Sequence, residues 1–183
     1  MRKIALAGAV AAFAVAPLAA VAGPGYTYVG AGYGVIDPDG ADDLDGFTLE
    51  GSVAVHENVH LLAEFVEGED GPIELDRTRI AAGYNMPLNS ATDFVARGGW
   101  SFADIEVGPF SDSDDAFYAQ AGVRSMVTPE LELNGFLGYD DLEEEFGVEL
   151  GGVYNFTPNL GATAGYSFSD EIQTYDIGLR YTF

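Results

Sequence analysis

The clearest pattern in the chain is a strict alternation of apolar and polar positions near its carboxyl end. From Tyr175 to Phe183 every second residue is aromatic or aliphatic, and the residues between them are small, polar or charged. The segments 146–156 and 160–169 show the same period. Because a period of two places successive side chains on opposite faces of a strand, the pattern predicts strands with one apolar face each.

Followed along the chain, this alternation predicts ten strands joined by alternately short and long connections. The strands are expected near residues 26–36, 46–56, 58–67, 75–86, 91–104, 115–127, 130–140, 145–156, 159–169 and 172–183. Short turns are expected at 56–58, 87–90, 128–130 and 157–159, and longer acidic loops around 37–45, 67–76, 104–115, 140–145 and 170–171. Every proline falls outside the predicted strands, as expected for a residue that cannot donate to a strand ladder. This spacing is typical of an up-and-down antiparallel meander.

The first 22 residues have the composition of an export signal. Arg2 and Lys3 begin the segment, an apolar run follows, and Ala20 and Ala22 form an Ala-x-Ala cleavage pattern. We therefore expect a signal peptide over residues 1–22 and one domain over 23–183. A membrane anchor is the alternative, but Pro17 and the cleavage pattern favour the signal peptide. Beyond residue 22 no apolar run approaches the roughly 20 residues of a spanning helix, so a membrane location would require strands.

The net charge of the chain excludes several classes of partner, and its lack of cysteine excludes several kinds of site. The expected mature chain has 30 acidic residues, five arginines and no lysine, a formal charge of −25. A field of that sign repels nucleic acid and anionic membrane surfaces. The chain has no cysteine, which excludes disulfides, thiol nucleophiles and thiolate metal sites.

The placement of the charges predicts the architecture. Of the 30 acidic residues, 22 fall in the longer connections. The strand acids and all five arginines fall opposite the apolar face of their own strand, an arrangement expected in lipid. An open sheet edge in hydrocarbon would leave backbone groups unpaired, so the sheet must close. We predict an all-β fold, a closed antiparallel up-and-down transmembrane β-barrel of ten strands, with eight strands as the alternative.

A barrel of ten strands is close to the size that its own side chains fill. Arginines and carboxylates inside so narrow a lumen would pair, because an unpaired buried charge costs several kcal/mol. We expect a lumen charge network of Arg77, Arg79, Arg97, Arg124 and Arg180 with Glu50, Glu64, Glu132, Glu149 and Asp176.

Outward aromatic residues cluster towards the two ends of the predicted strands, as the aromatic belts of membrane proteins do. The expected interface anchors are Trp100, Tyr154, Tyr166, Tyr181 and Phe183. The alternative is a soluble, lipocalin-like barrel, in which the apolar faces would line a ligand cavity and the charges would face water.

The chain resembles the small bacterial outer-membrane β-barrel superfamily, the family of OmpX and the OmpA transmembrane domain, over essentially all of residues 23–183. The most specific element is the terminal strand 175–183, which ends on Phe183. The resemblance implies that the barrel-assembly machinery reads Tyr175, Gly178, Tyr181 and Phe183. The opening strand, Tyr26 to Tyr33, also resembles a small exported family once named for a sulfation-dependent quorum factor.

The sequence gives few indications of catalytic or metal-binding residues. The two histidines, His56 and His60, flank a short turn at the end opposite the acidic loops, where turn or lumen-end roles are the simplest interpretation. We expect no enzyme and no cofactor. Clustered carboxylates suit divalent cations, but no loop has the spacing of an EF-hand. The weak candidates for such a site are Asp37, Asp39, Asp42, Asp43 and Asp45.

These observations predict a cell outer-membrane protein with a periplasmic N-terminus and acidic loops outside. The expected role is structural or surface-interactive, with a plugged lumen. The expected partners are outer-membrane lipid, lipopolysaccharide and divalent cations at the loops, and not nucleic acid. A narrow pore for small solutes or ions is one alternative function, and a soluble periplasmic ligand-binding barrel is the other.

Overall fold

The computed structural model describes residues 23–38, 42–142, 145–170 and 172–183. The predicted signal peptide lies outside the described residues. Ten strands follow one another along the chain. They are β1 (Tyr28–Pro38), β2 (Leu44–His56), β3 (Val59–Asp70), β4 (Ile73–Pro87), β5 (Thr92–Val107), β6 (Phe110–Met126), β7 (Leu131–Asp140), β8 (Glu145–Asn155), β9 (Leu160–Phe168) and β10 (Ile172–Thr182).

Every strand pairs with its sequence neighbours in antiparallel register, and β1 pairs with β10 from Tyr28 opposite Thr182 to Pro38 opposite Ile172. The sheet is therefore a closed barrel, and the prediction of ten strands in an up-and-down meander is confirmed. One irregularity interrupts the pairing of β2 with β3, between Ala54 and His56. No helix among the described residues is long and apolar enough to cross a membrane.

Period-two alternation places the apolar side chains on the outer wall. The outward Leu61, Ile80, Leu137 and Ile177 are between 40% and 68% exposed. The charged members of the same strands point to the inside, where Arg180 contacts Glu50. In water such an outer surface would be an unusually large apolar patch, whereas in lipid it is the expected wall of a membrane barrel.

The short turns at one end are stabilised by side chains that accept from the backbone. The Thr128 hydroxyl accepts the backbone N–H groups of Glu130 and Leu131, at 3.2 and 3.1 Å. The Thr157 hydroxyl accepts those of Asn159 and Leu160, at 3.3 and 3.0 Å. The repeated Thr-Pro sequence thus makes the same turn twice.

The opposite end differs from the prediction of long acidic loops. The expected loops at 67–76 and 104–115 are instead continuations of paired strands, joined by two-residue turns at 71–72 and 108–109. The first residue of each turn, Gly71 or Gly108, has φ of 56° or 59°. A proline follows each glycine and fixes its own φ near −65°, so the turns match type II′, which favours glycine at its first position.

Two prolines also lie inside strands rather than in connections. Pro38 is the last residue of β1 and Pro87 the last of β4. A proline can occupy the end of a strand because the ladder needs no further donor there.

The two long hairpins project past the barrel and reverse the polarity of their faces. Asp104 and Glu106 continue the outward face of Phe102, and Glu67 and Asp76 pair beside them on the same face. The inner faces of β3, β4 and β5 are apolar at the same level, whereas β6 has Asp112 and Asp114 on that face, opposite Ile105 and Ala103. There Ile36, Leu44 and Val66 form a buried cluster with Ile73, Leu75 and Ile172 packed against it. Polar residues therefore surround this end on the outside while an apolar cluster covers part of its interior.

Candidate functional site

A layer of charged and aromatic side chains fills the lumen near its short-turn end. Each strand-borne member lies within a few residues of a strand end on the short-turn side, so period-two alternation aims all of them inwards at one level. We name this layer the septum. Its members are Tyr26, Tyr28, His60, Arg124, Glu132 and Arg180.

Ion pairs connect the septum across the barrel. The Arg124 Nε donates to Glu132 Oε1 at 2.8 Å, and the two side chains are 3% and 6% exposed. Arg180 Nη1 lies 3.8 Å from the same Glu132 oxygen, and Arg180 Nη2 donates to Glu50 Oε1 at 3.1 Å. Because β8 and β9 lie between β7 and β10 in the sheet, the contact between Glu132 and Arg180 crosses part of the lumen.

Aromatic rings stack on the same guanidinium groups. The Arg180 guanidinium lies 4.1 Å from the centre of the Tyr28 ring, and that of Arg124 lies 4.6 Å from the Tyr26 ring. A cation over a ring face is attracted by the ring quadrupole, more strongly when water is removed. The guanidinium groups of Arg124 and Arg180 thus each contact a carboxylate and an aromatic ring.

Tyr26 belongs to the lead-in segment 23–27, which precedes β1 and is outside the sheet. Its hydroxyl donates to Asp93 Oδ2 on β5 at 2.9 Å, and its ring stacks on His60 of β3 with centres 4.6 Å apart. Arg124 Nη2 also donates to the Gly25 carbonyl at 3.0 Å. Burial raises the pKa of the Tyr26 phenol above its usual range, so the hydroxyl stays protonated and can donate. The lead-in segment therefore reaches across the lumen from β1 to β3, β5 and β6.

His60 is 1% exposed and lies against a strand glycine. A Cβ at Gly83 would be 2.2 Å from His60 Nε2, closer than side-chain atoms approach in real structures. Glycine is therefore required at position 83 for the imidazole to fit beneath Tyr26. The sequence-based interpretation of His60 as a lumen-end residue agrees with this location, although the contact with Gly83 has no local sequence signal.

Above the septum, a cavity of about 230 Å³ extends to the acidic end of the barrel, where Asp140, Ser169 and Ile172 line it. Below the septum, a vestibule of about 1170 Å³ opens among the short turns. Arg180 lines both spaces. One layer of side chains thus separates the two halves of the lumen.

The central cavity contains the other three arginines of the predicted network. The Arg79 guanidinium donates to Asp140 and lies 5.1 Å from the Tyr118 ring. The Arg97 guanidinium lies 4.2 Å from the Phe136 ring, and no carboxylate of the described residues pairs with it. Arg77 lines the cavity wall.

The predicted acids divide into two groups. Glu50 and Glu132 form the ion pairs of the septum. Glu64, Glu149 and Asp176 line the central cavity, where Gln120 donates to Glu149 at 3.1 Å. Asp140 and Asp93 also line the lumen and lie outside the predicted set. Asp140 falls at the boundary between a predicted strand and a predicted acidic loop, and Asp93 is a strand acid to which the sequence assigns no partner.

The candidate cation cluster gains no companion ligands from the fold. Among the described residues, no three His, Asp or Glu side chains are grouped so that they could hold a metal ion. Asp37 lies in β1 and Asp45 in β2, while Asp42 and Asp43 precede β2. Asp39 lies outside the described residues.

The predicted interface anchors lie on the outer wall at both ends. Trp100 contacts Phe117 edge to face, with ring centres 5.8 Å apart. Tyr166 stacks on Tyr175 at the same end, 4.9 Å away. At the short-turn end, Tyr154 contacts Phe156 and Tyr181 contacts Phe183, at 5.6 and 5.1 Å.

The predicted assembly signal is the last strand of the closed sheet. Tyr175, Gly178 and Tyr181 pair with β1, and the Phe183 backbone N–H donates to the Thr27 carbonyl at 3.0 Å. Strand β10 therefore completes the barrel against the first strand.

A solved structure with a TM-score above 0.5 agrees with this architecture. The KdgM porin in complex with disordered oligogalacturonate is similar in fold, with a TM-score of 0.52 and 10% identity over 85% of this chain and 99% of the porin. OprG from Pseudomonas aeruginosa has a TM-score of 0.48 and 13% identity over 90% of this chain and 99% of its own. The N-terminal barrel domain of Pseudomonas aeruginosa OprF has a TM-score of 0.45 and 15% identity over 87% and 100%. At these identities the likeness concerns the fold alone.

No curated protein matches the chain in sequence. The narrower resemblance to the quorum-factor family therefore stays a prediction. A family model does match, over residues 5–144 and thus about three quarters of the chain. That model describes the outer membrane protein beta-barrel domain. The chain belongs to this family of outer-membrane β-barrels.

Proposed function

We propose that this outer-membrane barrel has a lumen closed at rest and acts through its surface, as a structural or interaction protein. The observation that supports the closed lumen is the ion-paired chain from Arg124 through Glu132 and Arg180 to Glu50. Breaking such a buried pair leaves a charge uncompensated at about 3–5 kcal/mol. Thermal fluctuation alone would therefore open the septum rarely.

The proposed orientation places the short turns and the N-terminus in the periplasm and the acidic hairpins outside. Small outer-membrane barrels have short periplasmic turns and longer external extensions. The long β3–β4 and β5–β6 hairpins and the four-residue turns opposite them fit this asymmetry.

The proposed partners follow from the charge of the projecting hairpins. Glu67, Asp76 and Asp104 lie side by side on three neighbouring strands, on the outer face just beyond Phe102. Adjacent like charges on a sheet repel one another. These side chains are not grouped as a metal site on their own, so a divalent cation would be shared between one or two of them and a lipopolysaccharide phosphate, and it would relieve this repulsion. Outer-membrane lipid, lipopolysaccharide and the barrel-assembly machinery are the partners that this proposal names.

Fractionation and bilayer recordings test the proposal together. The parent protein is expected in the outer-membrane fraction, with gel migration that changes on heating, and without sustained conductance in a planar bilayer. A large, weakly selective conductance of the unmodified protein would contradict the closed lumen. Recovery in the soluble periplasmic fraction would contradict the membrane role.

A narrow pore is the second candidate, and one observation favours it. The central cavity and the vestibule are separated only by the septum. A small rearrangement of that single layer would join them.

A further inference from the structure

The central cavity contains charged groups that the barrel does not pair with one another. The Arg97 guanidinium lies over the Phe136 ring, and its buried Nε has no hydrogen-bond partner among the described residues. Three carboxylates line the same cavity and form no ion pair within the described part of the chain, those of Glu64, Glu149 and Asp176. A charge that leaves water without a partner is costly, so each of these groups favours a counter-charge from outside the chain.

The arginines nearest to these acids in the sheet have other partners. Glu64 is directly opposite Arg79 in the pairing of β3 with β4, but the Arg79 guanidinium donates to a different carboxylate, on β7. Arg180 attracts Asp176 but donates to Glu50. The other charged neighbours of Asp176 are carboxylates, which repel it. The acids of the cavity are therefore grouped with one another rather than with cations.

Asp176 and Arg97 lie on opposite walls of the lumen at about one level. In the closed sheet, β5 and β10 are five strands apart in either direction. Followed from strand to strand, the register leads from Asp176 to Asp93 of β5 in one direction and to Ile105 in the other. Because the strands of a barrel tilt equally on both sides, the residue level with Asp176 is midway between these two, at Gly99. Arg97 is an inward-facing residue next to this position.

The space between these walls has the size of a small metabolite. The cavity of about 230 Å³ is below the roughly 300–1,000 Å³ of pockets for drug-sized molecules. Glycine keeps the acidic wall open, since a Cβ at Gly165 would be 2.2 Å from Asp176 Oδ1. The cavity reaches the acidic end of the barrel, where the negative field of the chain attracts cations. A small cationic molecule therefore has both a route and a space.

We propose that the central cavity binds a small molecule with two amino groups and one carboxylate, the chemistry of a basic amino acid. The ammonium groups of the ligand contact Glu64, Glu149 and Asp176, and its carboxylate contacts Arg97 on the opposite wall. Three acids against one guanidinium favour a ligand with net positive charge over a neutral or acidic one. The inference goes beyond the function proposed above and does not depend on the closed lumen, because the ligand enters and leaves at the acidic end.

Isothermal titration of the folded protein in detergent tests the site, with lysine, cadaverine and glutamate as probes. We expect saturable binding of one lysine per barrel and no saturable binding of glutamate. Cadaverine is lysine without its carboxylate and leaves Arg97 unpaired. A hydrogen bond to a charged group contributes about 1.5–3 kcal/mol, so cadaverine is expected to bind roughly tenfold or more weakly than lysine.

Three variants assign the contacts. Arg97→Gln is expected to weaken lysine binding roughly tenfold or more without weakening cadaverine binding. Asp176→Asn is expected to weaken both. Asp45→Asn, the matched control, removes an exposed, outward carboxylate of β2 at the acidic end and is expected to leave both affinities unchanged. Neither Arg97 nor Asp176 forms an ion pair within the described residues, so both variants are expected to fold, and heat-modifiable migration checks this.

The contrary outcomes are distinct. Absence of saturable lysine binding by the folded parent would overturn the site. Equal losses of affinity in Asp45→Asn and Asp176→Asn would also overturn it, because the general negative charge of the barrel would then attract the ligand. If lysine and cadaverine bind equally and Arg97→Gln changes neither affinity, the carboxylate contact is absent and the assignment of a basic amino acid is overturned.

Discussion

At the scale of single residues, Glu132 is the carboxylate of the septum that contacts two arginines. It accepts from Arg124 and lies within 4 Å of Arg180, which also contacts Glu50. One carboxylate thus balances two arginines that come from strands on different sides of the lumen. Its negative charge, rather than its size, is expected to hold the layer together.

The substitution Glu132→Gln tests this role, because glutamine has nearly the same volume but no charge. We expect the free energy of unfolding to fall by about 3–5 kcal/mol, since Arg124 would stay buried with its charge uncompensated. A urea titration followed by the fluorescence of Trp100, the only tryptophan of the chain, measures the change. Glu130→Gln is the matched control on an exposed turn and is expected to change it by no more than about 0.5 kcal/mol. Equal effects of the two substitutions would show that the charge of Glu132 has no special role.

At the scale of elements, the projecting part of β6 has an open edge. Strand β7 pairs with β6 only from Tyr118 onwards, and none of the described residues pairs with the other edge of Phe110–Ala116. The Asp141 N–H donates to the Phe117 carbonyl, so the backbone groups of Phe117 point to this edge, and by alternation those of Ser113 and Asp115 do too. Open edges of this kind are sites where sheets of separate molecules join.

Two backbone N–H groups of this edge donate to aspartate side chains. The Ser113 N–H donates to Asp112 Oδ1 at 3.1 Å, and the Asp115 N–H donates to Asp114 Oδ1 at 2.8 Å. The carboxylates also add negative charge, which repels the same edge of another copy. Phe110 at the tip of the hairpin is 78% exposed, and we expect the two aspartates to protect this edge from association.

Replacing both aspartates, Asp112→Ala with Asp114→Ala, is expected to make the folded barrel self-associate. Chemical cross-linking in lipid vesicles should then show dimers at protein concentrations where the parent is monomeric. The pair Asp104→Ala and Glu106→Ala removes the same charge from β5, which has partners on both edges, and should leave the protein monomeric. The pair Asp112→Asn and Asp114→Asn keeps the side-chain acceptors and should associate less than the alanine pair. Monomers in all variants would mean that the capping bonds do not control association.

At the scale of the whole molecule, closure joins the two ends of the chain. Strand β10 pairs with β1 along its length, and the Phe183 backbone N–H donates to the carbonyl of Thr27 in the lead-in segment. The terminal strand therefore closes the barrel against β1, and it is the strand that the family resemblance assigns to assembly.

We predict that Phe183→Ser lowers the amount of folded barrel in the outer membrane several-fold but leaves refolding of the purified chain in detergent nearly unchanged. Recognition by the assembly machinery acts only in cells, whereas the sheet closes by its own hydrogen bonds. Phe168→Ser, which removes an outward aromatic at the opposite end, is the control. Heat-modifiable migration quantifies folded protein in both settings. If the two substitutions reduce membrane levels equally, the terminal position has no special role.

Local patterns determined much of this architecture. Alternation predicted the ten strands and the inward direction of Arg124, Arg180 and Glu132, because the side-chain period of a strand is a property of neighbouring residues. The same reasoning failed at residues 67–76 and 104–115, where acidic composition suggested loops. In β3, β4 and β5 the acids alternate with apolar residues, of which Leu75 packs against the inner cluster. Residues 111–115 of β6 lack this alternation and are held by their pairing with β5.

The sequence by itself therefore determined that this chain is a barrel with an apolar outer wall and a charged interior. Only the tertiary structure decided that Arg79 meets Asp140, that Tyr26 crosses the lumen to Asp93, and that His60 fits against Gly83. These contacts join strands that are distant in the chain or in the sheet. Alternation sets which face a residue occupies, whereas the register and closure of the whole barrel set which residues share a level inside it.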